Sequence, residues 1–175
     1  AGDMPCSQPS ESIEQRQPLI VEAVEATSGG ESPGRHRSGW GITMKIRVLT
    51  EGDQLSAMHD RAMIPPWGSA GAYPGSLNST TVLRDGVEIE PAPLSGKVKG
   101  FPLKADDIVV MGCTAGGGVG DPLDREVELV HKEVLDGYVT LDRARDVYGV
   151  VIEDGEINTQ ATDRMRDELR GLRKK

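Results

Sequence analysis

Aromatic side chains are scarce in this 175-residue chain, which has a single Phe, two Trp and three Tyr. Any core must therefore be mostly aliphatic. Cysteine is scarcer still: Cys6 and Cys113 stand alone, without the spacing of a zinc site. A Cys6–Cys113 disulfide stays open, but the expected state of Cys113 is a small hydrophobe ending a buried strand. There is no leader-like segment and no apolar run long enough to span a membrane, so a reducing, cytoplasmic setting is expected. Positive charge is also short. Twenty Lys and Arg face 28 Asp and Glu, for a net charge of -8, which disfavours nucleic acid or an anionic membrane as a partner. Only Arg170, Arg173, Lys174 and Lys175 form a basic tail, expected to complement the C-terminal end of a helix dipole.

What is plentiful is punctuation: 22 Gly and 11 Pro imply many turns, and a hydrophobic fraction of 37% supports a modest core. Residues 1–17 are polar and read as an extended N-terminal arm. From 18 to 122 the chain alternates short apolar runs with turn clusters. The clearest run is Ile42 to Val48, whose alternation places Ile42, Met44, Ile46 and Val48 on one core face. Asp85-Gly86, between Thr80–Arg84 and Val87–Glu90, is a strong hairpin signal, because a type I′ turn needs positive φ at both central residues. Further strands are expected at Pro18–Val24, around Leu55, at Lys97–Lys99 and at Ile108–Met111. Residues 123–175 turn helical. Leu123, Val127, Val130 and Val134 recur at helical spacing before Gly137, Thr140 can cap a helix closed by Gly149, and Ala161, Met165, Leu169 and Leu172 stripe a last helix. The expected fold is thus α+β: a mainly-β barrel or sandwich of six to seven short strands, then a small helical segment.

The most informative string is Gly116-Gly117-Gly118-Val119-Gly120-Asp121-Pro122. It is not a nucleotide loop, since Asp121 stands where the dinucleotide fingerprint needs glycine and no Gly-Lys-Ser/Thr follows. A tight strand-to-helix connection is the better reading, with positive φ expected at Gly117 and a helical first turn set by Pro122. Among the three histidines, His36, His59 and His131, none pairs at metal-ligand spacing. His59-Asp60-Arg61 is the one cluster suggestive of acid–base work, although neighbours in a strand point to opposite faces. A partly buried, satisfied histidine is the favoured reading of His59. No serine elbow or activated cysteine is present.

Several motifs in order carry a resemblance. They are Ser28-Gly29-Gly30 with Gly34 through Gly41, Asp60-Arg61 with Pro65-Pro66-Trp67-Gly68 and Gly71 through Gly75, and Gly116 to Pro122 with Tyr148-Gly149 downstream. Together these resemble the C-terminal portion of the B-type polypeptide of the hydantoinase/oxoprolinase family, which includes ATP-dependent N-methylhydantoinases, 5-oxoprolinases and acetone or acetophenone carboxylases. Val119 departs from the aromatic residue usual there, and Ala115 from a frequent Pro. The resemblance implies a separate small subunit, non-catalytic alone, joined to larger A-type and B-type subunits. It implies that ATP, Mg and a further divalent metal sit on those partners, and that none is bound by this chain. It also implies that the loops Pro65, Pro66, Trp67, Gly68 and Gly116, Gly117, Gly118, Gly120, Asp121, Pro122 shape the site or the subunit contact. Opening of a cyclic amide (hydantoin, oxoproline or lactam) and ketone carboxylation are both open, as is a free-standing binding or scaffold protein.

Overall fold

The computed structural model describes residues 8–27, 30–94 and 96–173. Ser28, Gly29, Lys174 and Lys175, and with Cys6 the possible disulfide, lie outside the described residues. The chain divides into two compact units: one of residues 1–25, 43–63 and 78–112, the other of residues 26–42, 64–77 and 113–175. The second unit thus gathers residues 26–42 and 64–77 with everything from Cys113 onward.

The first unit opens with helix α1 (Ser10–Arg16), in the segment whose composition suggests an extended arm. A tertiary bond explains it. Glu14 Oε1 accepts the Val21 N–H at 2.9 Å, and a seven-residue helix needs such an anchor because it is too short to persist alone. Seven strands follow: β1 (Leu19–Ala26), β2 (Ile42–Val48), β3 (Gln54–Met58), β4 (Ser79–Arg84), β5 (Val87–Ile89), β6 (Lys97–Pro102) and β7 (Ile108–Cys113). Five form an open sheet in the order β1-β2-β7-β4-β5, and β3 pairs antiparallel with β6. The α+β fold therefore stands, with β1 and β5 as edges and no closed barrel among the described residues.

Val48, Val82, Leu103 and Val109 are the buried centre of this unit. Leu55 of β3 and Phe101 of β6 pack on that centre, so the small sheet helps cover it. Val82 faces Val109 across β4–β7 and Ile89 across β4–β5. The core reaches only one end of the β2 face, because Val48 is fully buried while Ile42 is 50% exposed. At the turn between β4 and β5, Asp85 and Gly86 take φ of 50° and 77°, as the hairpin signal requires. Cys113 ends β7 exposed rather than buried: it shares the facing of Val109 and Met111 but stands past the residues that pack on the core.

In the second unit Pro122 opens a 3-10 turn, Pro122–Asp124, and not an α-helix. Asp121 caps that turn by accepting the Leu123 N–H at 2.8 Å. Helix α2 (Val127–Leu135) is followed by Gly137 at φ 78°. Helix α3 (Leu141–Tyr148) is capped by Thr140, whose hydroxyl accepts the Arg143 N–H, and ends at Gly149 in the left-handed region with φ 65°. The two-residue strands β8 (Ile152–Glu153) and β9 (Glu156–Ile157) turn at Asp154-Gly155, and α4 (Thr159–Arg173) closes the described chain. Val130, Val139, Ala144, Tyr148 and Val150 form the core here. No described helix is long and apolar enough to cross a membrane.

Candidate functional site

The glycine-rich string occupies the middle of a three-stranded braid of loops in the second unit. On one side Ser69 donates to the Gly118 carbonyl at 2.9 Å and accepts from the Gly120 N–H at 2.9 Å. On the other, His36 and Val119 exchange two backbone bonds of 2.9 Å each, and Arg35 donates to the Gly120 carbonyl at 3.1 Å. Irregular backbone buried between two neighbours must satisfy its polar groups in this way. The loops with Trp67-Gly68 and Gly116 to Pro122, singled out in the sequence, are thus brought side by side.

Glycine is needed here for proximity more than for turning. A Cβ on Gly117 would overlap the Trp67 carbonyl oxygen, and one on Gly118 would lie 2.7 Å from that of Ser32. Positive φ, expected at Gly117, occurs instead at Gly120, at 80°. Gly116 has open space around it.

One hydroxyl ties the braid to a further loop. Ser32, fully buried, accepts the Gly118 N–H on Oγ at 2.8 Å, and the same Oγ donates to the Tyr73 carbonyl. Its own N–H goes to Ser38 Oγ at 2.8 Å. Next to it Glu31 is buried, with Oε1 accepting from Arg143 Nε at 2.8 Å and from the Tyr148 hydroxyl at 3.1 Å. Burial, and after it the Glu31 charge, push the Tyr148 hydroxyl well above the usual phenol range, so it stays a proton donor. A cleft of about 300 Å³ opens beside this cluster, lined by Glu31, Pro33, Tyr73, Pro74, Gly75, Ser76 and Arg143. Neither Ser32 nor Glu31 carries a sequence signal beyond being polar in a turn. Their partners lie 86 and 112 residues away.

A second buried carboxylate holds the 35–40 loop. Glu133 Oε1 accepts from Arg37 Nε at 2.6 Å and from Arg125 at 2.8 Å, while the Arg37 guanidinium lies 4.1 Å from the centre of the Trp40 ring. Trp40 stacks on Tyr138 with centroids 4.9 Å apart. From the far side α4 reaches the exit of the glycine string. Arg173 meets Asp121 at 2.6 Å and the Tyr73 hydroxyl at 2.5 Å, and Arg170 meets Asp124 at 2.9 Å. The two tail arginines therefore pair with carboxylates as well as lying in the last turn of α4. Asp121, as cap and ion-pair partner, has its Oδ1 committed to structure.

The His59-Asp60-Arg61 cluster belongs to the first unit. His59 Nε2 lies 3.0 Å from Thr80 Oγ1, and Nδ1 is buried without a partner. Asp60 is exposed, and Asn78 takes up the backbone carbonyls of Asp60 and Arg61 at 2.7 and 2.9 Å. The imidazole is paired with a hydroxyl, not with the neighbouring carboxylate. Among the described residues no three His, Cys, Asp or Glu side chains converge as metal ligands. The braid and its buried ion pairs can hold a shape and present a surface.

Similarity to known proteins runs along almost the whole chain. It is 32% identical over 159 residues to the putative B-type D-/L-hydantoinase polypeptide of Pseudomonas sp. NS671, covering 90% of this chain and 26% of that one. The β-type caprolactamase polypeptide of Pseudomonas jessenii is 27% identical over 157 residues, covering 87% of this chain and 26% of the relative. In solved structures, the nucleotide-free acetone carboxylase aligns with a TM-score of 0.78 at 24% identity, over 98% of this chain and 27% of that one. The ATP-dependent caprolactamase of Pseudomonas jessenii aligns at 0.69 and 24%, over 92% and 28%. These two likenesses show a shared fold. The chain spans about a quarter of the length of the curated relatives it matches. The hydantoinase B/oxoprolinase profile matches residues 5–122, more than half of the sequence, and the chain belongs to that family.

Proposed function

We propose that this chain is a small subunit, non-catalytic on its own, of a multi-subunit ATP-dependent hydantoinase/oxoprolinase-type enzyme that opens a cyclic amide. The observation that carries the reading is the braid around Gly118. Its polar groups are consumed in internal hydrogen bonds, which suits a part that shapes an assembly more than a centre that performs chemistry alone. Similarity to a B-type hydantoinase polypeptide over 90% of the chain supports the choice of assembly. On this reading ATP, Mg and a further divalent metal are held by the larger A-type and B-type partners. The second reading is the same role in an ATP-dependent ketone carboxylase, favoured by 28% identity over 178 residues to the α-type acetone carboxylase polypeptide of Xanthobacter autotrophicus.

Affinity purification of the tagged chain from its source cells, with mass spectrometry of what co-elutes, tests the assembly. Stoichiometric A-type and B-type hydantoinase-family chains are the expected result, and a lone monomer would leave the free-standing scaffold as the better reading. Assay of the purified assembly then separates the two chemistries. ATP consumption with hydantoin, oxoproline or lactam and no need for bicarbonate is expected, whereas strict dependence on bicarbonate and a ketone would select the carboxylase.

A further inference from the structure

The cleft beside the braid lies wholly within the second unit and is walled by both members of a buried ion pair. The Glu31 side chain is fully buried, and its Oε1 takes two bonds, from Arg143 and from the Tyr148 hydroxyl. Oε2 is sealed in as well, with no hydrogen-bond partner among the described residues. A buried carboxylate oxygen in that state lacks the donor that would offset its desolvation. Arg143 is 28% exposed and grips Glu31 through Nε and Nη2, which leaves Nη1 outside those bonds. Other polar groups of the wall are committed inside the fold. The Tyr73 N–H donates to the Pro33 carbonyl at 2.8 Å, the Tyr73 carbonyl accepts from Ser32, and the Ser76 hydroxyl donates to Thr114 Oγ1 at 3.2 Å. Pro33 and Pro74 add ring surface without an N–H. Apolar walls with one or two open polar groups are those of a small-molecule site, and about 300 Å³ is the small end of that class.

We infer that the Glu31–Arg143 cleft holds the edge of an uncharged cyclic amide, whose N–H donates to Glu31 Oε2 and whose carbonyl accepts from Arg143 Nη1. A small ring keeps its amide cis, so the N–H and C=O leave from one edge, a donor beside an acceptor. Glu31 and Arg143, joined at 2.8 Å, set an acceptor beside a donor. The charges of the pair cancel. The site therefore favours a lactam or hydantoin and disfavours oxoproline, whose free carboxylate would meet that of Glu31. The inference takes its ligand class from the proposed ring-opening role and adds to it where this chain meets the ring.

Titration of δ-valerolactam into the isotopically labelled full chain, followed at the Arg143 Nε–H by heteronuclear NMR, tests the site. The Arg84 Nε–H, held by Asp107 in the first unit, is the internal reference. A saturable shift at Arg143 alone is expected. N-methyl-δ-valerolactam, which lacks the N–H, should bind about tenfold more weakly, as loss of one hydrogen bond to a charged acceptor requires. Oxoproline should also bind more weakly than the lactam. No saturable shift, equal affinity for the N-methyl compound, or equal movement of the Arg84 signal overturns the inference. In the assembly purified from source cells, Arg143→Lys keeps the charge but loses the fork, and should raise KM for the cyclic amide about tenfold while KM for ATP stays native. A native KM for the amide overturns the inference and leaves the proposed assembly standing. Selective lactam binding by a chain that co-purifies with no hydantoinase-family polypeptide supports the cleft and overturns the assembly alone.

Discussion

The two units solve the same problem with different materials. In the first, β-strands pair in regular ladders and the centre is filled by Val48, Val82, Leu103 and Val109. In the second, the loops around Gly118 are held by main-chain bonds, by the Ser32 hydroxyl and by two buried carboxylates, Glu31 and Glu133. Burial of apolar area is nondirectional and tolerates some reshaping. Hydrogen-bonded loops in close approach do not, because one displaced group leaves a buried partner unsatisfied. The contrast is between a region that depends on volume and one that depends on main-chain position.

The hardest blow to the second kind of architecture is Gly117→Val, whose Cβ would overlap the Trp67 carbonyl. We expect a loss of about 3 kcal/mol or more, with faster hydrogen exchange at residues 116–120 and 67–73 in mass-spectrometric mapping. Gly116→Val, in open space, should sit within about 0.5 kcal/mol of the native protein. Equal melting of the two variants would erase the distinction. Next in size is Glu31→Gln, which leaves the partly buried Arg143 without its carboxylate and should cost about 2–3 kcal/mol in chemical denaturation. Val82→Ala in the first unit should cost about 2 kcal/mol for two lost methyl groups and the space they leave. Its exchange signature should be confined to the strand residues, and protection lost equally around Gly118 would contradict the separation of the two regions.

The smallest effect concerns the ion pair between Arg84 and the buried Asp107 in the sheet unit. Arg84 grips Asp107 at 2.6 and 2.8 Å, and the guanidinium holds that carboxyl below its ordinary value of 3.8. A carboxyl depressed by folding contributes stability that is complete above the unfolded value. That contribution is lost as pH falls through the folded value. Melting followed from pH 6 down to pH 2 should therefore fall less steeply in Asp107→Asn than in the native chain below about pH 4. Parallel curves would remove Asp107 from the account of acid sensitivity.

What the sequence made legible was local. The Asp85-Gly86 turn, the Thr140 cap and the Gly149 terminus each follow from a few adjacent residues, and each is found where those residues place it. The seven strands before Pro122 follow from alternation and turn residues in the same way. Long-range facts were not legible. Glu31 lies 112 residues from Arg143, and nothing in the turn around it announces a buried carboxylate. Helix α1 likewise depends on a bond from Glu14 to a strand. The glycine string stands out for one conformational reason and is used for another at Gly117: the neighbour that forbids a side chain is the Trp67 carbonyl, brought in from a segment some fifty residues earlier. Pro122 sets a first turn as expected, but a 3-10 one, because Arg125 at the cap takes extended ψ of 140° before α2 begins.

The pairing of Ser69 and His36 with opposite edges of the 118–120 run has a consequence for how such a chain can change over generations. Outward positions such as 119 are open to exchange of one side chain for another, since their bonds are made by backbone alone. Length is not open. Inserting or deleting a single residue in either flanking run would invert the facing of every side chain beyond it and pull the Ser32 hydroxyl away from the Gly118 N–H. Homologous chains should therefore keep the same number of letters across this braid, and its crowded glycines, even where the spelling changes at a position such as 119.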